Sequence, residues 1–180
     1  IDRSLVGSEM CIRDSIATLE FREPSKIRTT IVADFDNDGY DEIFLNNIGE
    51  PNKLFKILEE GNLKPIQIIE GLESTGLGTG AAVADIDNDG ILELLIAHGE
   101  SAPEPLSMYK AEITGKSRFV RIRPLNFNNA PARGATVVLN TNLRQHAKTI
   151  DSGSGYLCQM EPVAHYGPVS YTHLTLPTRS

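Results

Sequence analysis

An all-β fold, with blades of a β-propeller followed by a smaller β domain, is what the sequence predicts, and three observations predict it. A segment recurs at a period of 51 residues, Ile31 to Leu45 and again Ala82 to Ile96. That period suits a four-stranded blade and exceeds the common helical repeats. Short strand-like runs bounded by turn residues flank each copy. No stretch keeps helical spacing with caps.

The strand candidates follow in order. Ile27 to Val32 and Thr79 to Val83 lead into the repeated segments, and Ile43 to Leu45 and Leu92 to Ile96 lead out. Lys53 to Ile57, Lys64 to Ile69 and Ser107 to Ala111 complete the blades. Turn chemistry separates them at Asn46-Asn47, Gly49 to Asn52, Glu60 to Asn62 and Pro103 to Pro105. Beyond Gly115 the repeat stops, which predicts a domain boundary near Thr114 to Lys116. Phe119 to Arg123, Gly134 to Leu139 and Tyr156 to Met160 are further strand candidates, and Asn126 to Arg133 is a polar turn.

Composition sets bounds. The chain has 180 residues, 40% hydrophobic and 23% charged, as soluble globular proteins do. Its net charge of -7 gives no electrostatic reason to expect nucleic acid or an anionic membrane. No apolar run approaches the ~20 residues of a membrane helix, so membrane insertion is not expected. Two cysteines, Cys11 and Cys158, make no disulfide framework.

Each repeated segment carries a metal-ligand pattern. Hard cations take oxygen ligands, and in a tight loop positions 1, 3 and 5 point inward while a glycine at 6 allows the bend and a carbonyl at 7 faces the ion. Those places are Asp34, Asp36, Asp38, Gly39 and the carbonyl of Tyr40 in one loop. In the other they are Asp85, Asp87, Asp89, Gly90 and the carbonyl of Ile91. Glu42 and Glu93 add an acid at position 9. Position 12, the closing acid of an EF-hand, is Leu45 or Ile96 within a predicted strand, so the EF-hand is rejected. A solvated acidic turn would explain one loop; recurrence of every ligand position favours Ca2+, since the ligation is by oxygen alone.

An enzyme is not expected. His98, His146 and His165 stand singly, without zinc-ligand spacing. There is no Gly-x-Ser-x-Gly elbow, and the run Ser152 to Gly155 lacks the lysine of a P-loop. Cys158, among Tyr156, Leu157 and Met160, reads as a buried thiol or half of a disulfide.

The Asp-rich loops resemble the FG-GAP/VCBS repeats of integrin-type β-propellers, particularly the form found in the cartilage acidic protein family. Ala84 to Gly90, Ala97 to Ser101 and Pro105 to Ser107 are similar to that family's last repeat. Ala132 to Ala135, Val137 to Leu139, Asp151 to Cys158 and Met160 to Gly167 resemble its ASPIC/UnbV domain. The resemblance implies a secreted, calcium-binding protein of the extracellular matrix or cell surface, acting in binding or adhesion on an extracellular protein or glycan. The alternative is an accessory propeller domain of a secreted enzyme, for example a polysaccharide-degrading one, with its catalytic part elsewhere.

The two ends resemble something else. Leu5 to Asp14 matches a translated transposase sequencing adapter, and Val169 to Thr178 the opposite strand of a partner adapter. The expected organisation is therefore a non-native segment 1–15, two FG-GAP-type repeats over 16–114, a truncated ASPIC/UnbV domain over 117–167 and a non-native segment 168–180. Stacked repeats generally need ~3 units. With two, the apolar faces around Ile43, Leu45, Leu94 and Ile96 are expected to lie exposed.

Overall fold

The computed structural model describes residues 18–58, 62–66, 77–99, 103–113, 118–142, 144–151 and 155–167, together with the backbone of 171–175. The boundary expected near Thr114 to Lys116, part of the strand expected to Ile69, Glu60-Gly61, Glu100-Ser101 and the Ser152 to Ser154 turn lie outside the described residues, as does the adapter-like segment 1–15.

The fold is nearly all β, as the sequence predicts. β1 (Ile27–Ala33), β2 (Glu42–Asn47), β3 (Lys53–Ile57) and β4 (Leu63–Ile66) form one antiparallel sheet in chain order. β5 (Gly78–Ala84), β6 (Glu93–His98) and β7 (Ser107–Lys110) form a second in the same manner. These are the two expected blades, consistent with part of a propeller. Pro65 has no N–H to donate and sits on β4, the edge of its sheet, where that costs nothing.

The blades pack on each other. β1 alternates, with Thr29, Ile31 and Ala33 turned inward and Val32 half exposed. Ile31, Ala33 and Phe44 of the first sheet meet Ala81, Val83, Leu92, Leu94 and Ile96 around the second, forming one core. Leu45, Leu94 and Ile96, expected exposed for want of further blades, are buried, and Ile43 is half-buried. Leu94 and Ile96 are covered because the inner faces of the two sheets close on one another, whereas Ile43 and Leu45 alternate with Phe44 and lie on the other face of β2. Polar bonds stitch the same seam: Thr29 Oγ1 donates to the carbonyl of Thr79 at 3.3 Å, and Asn46 Nδ2 to that of Gly80 at 3.3 Å.

Asn46 and Asn47, expected as a turn, end β2 instead and are buried. Their amides bond locally or across the seam, Asn47 Nδ2 donating to Pro51 O at 2.6 Å, so short polar side chains do the work of a turn inside a strand. One helical turn, α1 (Leu19–Arg22), has no counterpart in the sequence reading. Thr18 caps it and Phe21 meets Phe55 edge-on at 5.1 Å. A four-residue element is too short for any periodicity to reveal.

The C-terminal module has its own core. β8 (Val120–Ile122) pairs with β11 (Ala164–Tyr166), and β9 (Thr136–Thr141) pairs with β10 (Gln145–Thr149). Val137, Leu139, Ile150, Ala164 and Tyr166 pack together, with the Tyr166 hydroxyl donating to Val137 O at 2.7 Å. β12 (Tyr171–Thr175) lies along the other edge of β9. Those residues belong to the segment 168–180, to which the sequence reading gave no place in the fold. An open strand edge offers unpaired N–H and C=O groups to any extended segment. Tyr156 to Met160 is no strand: Gly155 and Leu157 both take positive φ, 71° and 53°, which breaks an extended run. The segment crosses the blade seam, with Tyr156 N–H donating to Thr29 Oγ1 at 3.1 Å and Cys158 Sγ to Ala81 O at 2.9 Å.

Truncation should distinguish the two faces of β1. Ile31→Ala, at a fully buried site, is expected to cost about 2–5 kcal/mol. Val32→Ala, half exposed, should stay within about 0.5 kcal/mol. Urea denaturation of the two variants measures the difference, and similar losses would contradict this packing.

Candidate metal centres

Each Asp-rich loop joins two antiparallel strands, β1 to β2 and β5 to β6, with Ala33 facing Glu42 and Ala84 facing Glu93 where the strands begin to pair. Strands on both sides, rather than helices, agree with rejecting an EF-hand. The loops share a backbone: Asn37 and Asn88 have φ of 55° and 61°, and Gly39 and Gly90 have φ of 87° and 84°. Glycine adopts that conformation without steric cost. At Gly90 a Cβ would also strike the ring of Phe119.

The backbone turns the carboxylates. In the first loop Asp36 Oδ1 accepts from Asp38 N–H at 3.1 Å, Asp38 Oδ1 from Tyr40 N–H at 2.8 Å, and Glu42 Oε2 from Phe35 N–H at 2.8 Å. The second loop repeats all three: Asp87 Oδ1 with Asp89 N–H at 3.2 Å, Asp89 Oδ1 with Ile91 N–H at 2.9 Å, and Glu93 Oε2 with Ile86 N–H at 2.7 Å. Asp34 Oδ2 and Asp85 Oδ2 accept from the N–H of Gly39 and Gly90, at 2.9 and 3.1 Å. Asp34 Oδ1 also accepts from Asp38 N–H at 3.0 Å, so Asp34 spends both oxygens on the loop and each of the other acids spends one.

Oxygens of three acids in each loop converge. Asp34, Asp36 and Glu42 each present an oxygen within 4.8 Å of the others', and Asp85, Asp87 and Glu93 do the same. Glu42 Oε1, Asp85 Oδ1 and Glu93 Oε1 are buried with no hydrogen bond. Two of them face an ammonium: Glu93 Oε1 lies 2.6 Å from Lys110 Nζ and Glu42 Oε1 3.8 Å from Lys56 Nζ. Buried carboxylate oxygens call for positive charge, and one lysine among three acids supplies only part of it, so these oxygens fit a cation. The donor set is oxygen only, with no histidine or cysteine, which suits calcium or another hard ion.

Two lysines stand against these sites, and the sequence reading did not single them out. Lys56 Nζ lies 2.5 Å from Asp36 Oδ2 and 2.5 Å from Asp38 Oδ2. Lys110 Nζ lies 2.7 Å from Asp87 Oδ2 and 2.9 Å from Asp89 Oδ2. The only sequence signal is a lysine in the third strand of each blade. It falls three residues farther from the first aspartate in the second repeat, which hides it from a fixed-period reading.

The C-terminal module seats on both loops. Gly167 N–H donates to Asp34 Oδ2 at 3.2 Å, and Arg121 Nη1 to Asp85 Oδ2 at 3.1 Å. Arg121 Nη2 also bonds Glu161. Between the loops, Asn37 Nδ2 donates to Gly90 O at 2.6 Å, leaving its Oδ1 to accept from His165 Nε2 at 3.0 Å. His165 is thereby assigned neutral, with its proton on Nε2. Of the other described histidines, His146 accepts from Arg144 Nε at 3.2 Å and meets Tyr166 edge-on, while His98 closes β6.

Burial shifts the acids. It raises the Asp34 carboxyl from 3.8 to about 6 and Glu42 from 4.5 to about 8; the nearby charge of Lys148 opposes the first shift, and the Phe35 N–H the second. Burial, with Lys148 and Arg121 near, lowers His165 from 6.5 to about 4. Hydrogen bonds donated by Lys110 lower Asp89, and the Asp87 and Glu93 carboxylates that accept from it raise Lys110 above the usual lysine value.

Known proteins share this arrangement in sequence. A family model described as an FG-GAP-like repeat matches residues 34–96, and one described as ASPIC and UnbV matches 126–174. The chain is 45% identical over 161 residues to "Cartilage acidic protein 1" of Xenopus tropicalis, covering 84% of this chain and 25% of that protein. The protein of the same name from Mus musculus is 44% identical with the same coverage, and that from Homo sapiens 45% identical with 84% and 24% covered. The chain therefore spans about a quarter of the length of these curated relatives.

The raised acids fix a pH dependence. A carboxyl whose folded pKa exceeds its unfolded value is harder to ionise in the fold, so stability is full below the unfolded value and lost as pH rises through the folded one. Without metal, the chain should lose stability between about pH 4.5 and 8 on account of Glu42. Glu42→Gln, melted in a chelator, should match the parent near pH 5 and exceed it at pH 8. His165 acts oppositely, removing stability as pH falls from about 6.5 to about 4. A pH 5-to-8 profile unchanged by Glu42→Gln would contradict the burial of that charge.

Proposed function

The chain belongs to the cartilage acidic protein family, with an FG-GAP-like repeat region followed by an ASPIC and UnbV segment, and we propose that it is a calcium-binding part of an extracellular matrix or cell-surface binding protein. The observation that carries the metal reading is the convergence of acid oxygens at positions 1, 3 and 9, from Asp34, Asp36 and Glu42 and again from Asp85, Asp87 and Glu93, in two loops of one geometry. The proposed ligands are Asp34, Asp36, Asp38, Glu42 and the carbonyl of Tyr40 in one loop. In the other they are Asp85, Asp87, Asp89, Glu93 and the carbonyl of Ile91.

Calcium would supply two positive charges to each acidic cluster and tie residues from both ends of the loop together. The residues of the chain prepare the place: backbone N–H groups hold the outer carboxylate oxygens, and the blade core fixes the strands that carry Glu42 and Glu93. The role is one of rigidity rather than catalysis, and the acidic loops with the module seated on them present a fixed surface to an extracellular protein or glycan. No helix among the described residues is long and apolar enough to cross a membrane.

Calorimetric titration of the chain with calcium tests this. Two sites are expected with dissociation constants of ~10⁻⁴–10⁻³ M, the range of extracellular modules. Asp87→Ala should abolish one and leave the other. At a hundredfold excess over the dissociation constant each site should add about 2.7 kcal/mol of stability. Absence of binding heat, together with an unshifted melting temperature, would overturn the proposal.

A further inference from the structure

We infer that Lys56 and Lys110 are tethered counter-ions, each holding its loop when metal is absent and giving way to calcium. The inference rests on the calcium reading above and concerns the regulation of the same two sites.

The register places them. Lys56 on β3 stands directly across from Glu42 on β2, and Lys110 on β7 directly across from Glu93 on β6. Cross-strand neighbours lie on the same face of a sheet, so each lysine stem is aimed along the face that carries the position-9 acid. Its head then reaches the loop beyond the end of the strand.

The atoms reached are telling. The acids at positions 3, 5 and 9 each give one oxygen to a backbone N–H: Asp36 Oδ1, Asp38 Oδ1 and Glu42 Oε2 in the first loop. Lys56 Nζ meets the remaining three, Asp36 Oδ2 at 2.5 Å, Asp38 Oδ2 at 2.5 Å and Glu42 Oε1 at 3.8 Å. In the second loop Lys110 Nζ meets Asp87 Oδ2 at 2.7 Å, Asp89 Oδ2 at 2.9 Å and Glu93 Oε1 at 2.6 Å. Four of the six belong to acids of the converging clusters, Asp36, Glu42, Asp87 and Glu93, and the other two to Asp38 and Asp89, the proposed ligands at position 5. One ammonium per loop therefore sits among the ligands, and its charge and that of calcium exclude each other there.

Two consequences follow from a single charge standing in for a double one. The ammonium relieves only part of the repulsion among the acids, so the loops keep their shape without metal at reduced stability. Calcium must also displace a partner already in place, which weakens its apparent affinity. Displacement is sterically open: the side chains of Lys56 and Lys110 remain 23% and 29% exposed, so each head can swing to solvent while its stem stays on the sheet.

The test uses the full chain. Lys56→Met and Lys110→Met keep the stem and remove the charge, and calorimetry with calcium should show one site at least about tenfold tighter in each variant. In chelator both variants should melt below the parent. An unchanged affinity in variants that still bind two ions would overturn the inference and leave the calcium reading intact. No binding by parent and variants alike would overturn the calcium reading itself, and this inference with it. A second measurement needs no variant: acetylation footprinting of the parent. Lys56 and Lys110 should react slowly in chelator and speed up with saturating calcium, while Lys26, 71% exposed, stays constant. Equal rates with and without bound calcium would also overturn the inference.

Discussion

Everything in this structure answers one electrostatic constraint: each loop brings oxygens of three acids within 4.8 Å of one another, with a fourth acid close by in the same loop. At such distances like charges raise one another's cost of ionisation, and burial of Asp34, Glu42, Asp85 and Glu93 removes water as a remedy. The fold meets the constraint in layers. Backbone N–H groups take one oxygen of each acid at positions 3, 5 and 9 and both of Asp34, a lysine from the third strand of each blade meets the remaining oxygens at 3, 5 and 9, and the C-terminal module reaches the first aspartate of each loop.

The last of these layers ties the two parts of the chain together. Arg121 bridges Asp85 and Glu161, and the side chain of Asp85 is fully buried. Breaking one member of a buried pair strands the other charge, which generally costs 3–5 kcal/mol. Gly167 makes the corresponding contact at Asp34 through its backbone, in a space where a Cβ would collide with the Asp34 carboxylate. The loops are alike in sequence and yet differently enclosed: Asn37 is buried between Gly90 and His165, whereas Asn88 is exposed. Two equal motifs thus acquire unequal surroundings from an asymmetric lid.

Much of this was legible in the sequence because it is local. The 51-residue repeat, the strands on either side of each loop and the glycines at position 6 all follow from turn and strand chemistry, and the structure places them as read. What escaped was non-local. The lysines depend on strand register across a hairpin, and Arg121, His165 and Gly167 depend on how a second module lands. Tyr156 to Met160 misled because apolar composition suggests a strand, while Gly155 and Leu157 bend it across a seam that no pattern announces. Asn46 and Asn47 misled for the opposite reason, since residues that favour turns were buried as strand-end bridges.

The crossing segment has a mechanical meaning. Tyr156 grips β1 through Thr29, and Cys158, two residues on, grips β5 through Ala81. These are the facing strands of two different sheets, so the segment spans the joint between blades as a staple spans a fold in paper. Tension drawn through the C-terminal module reaches both blades together and loads the staple along its length, before it can peel one sheet from the other. The two bonds at its feet, one on each sheet, share that load with the apolar core beneath them.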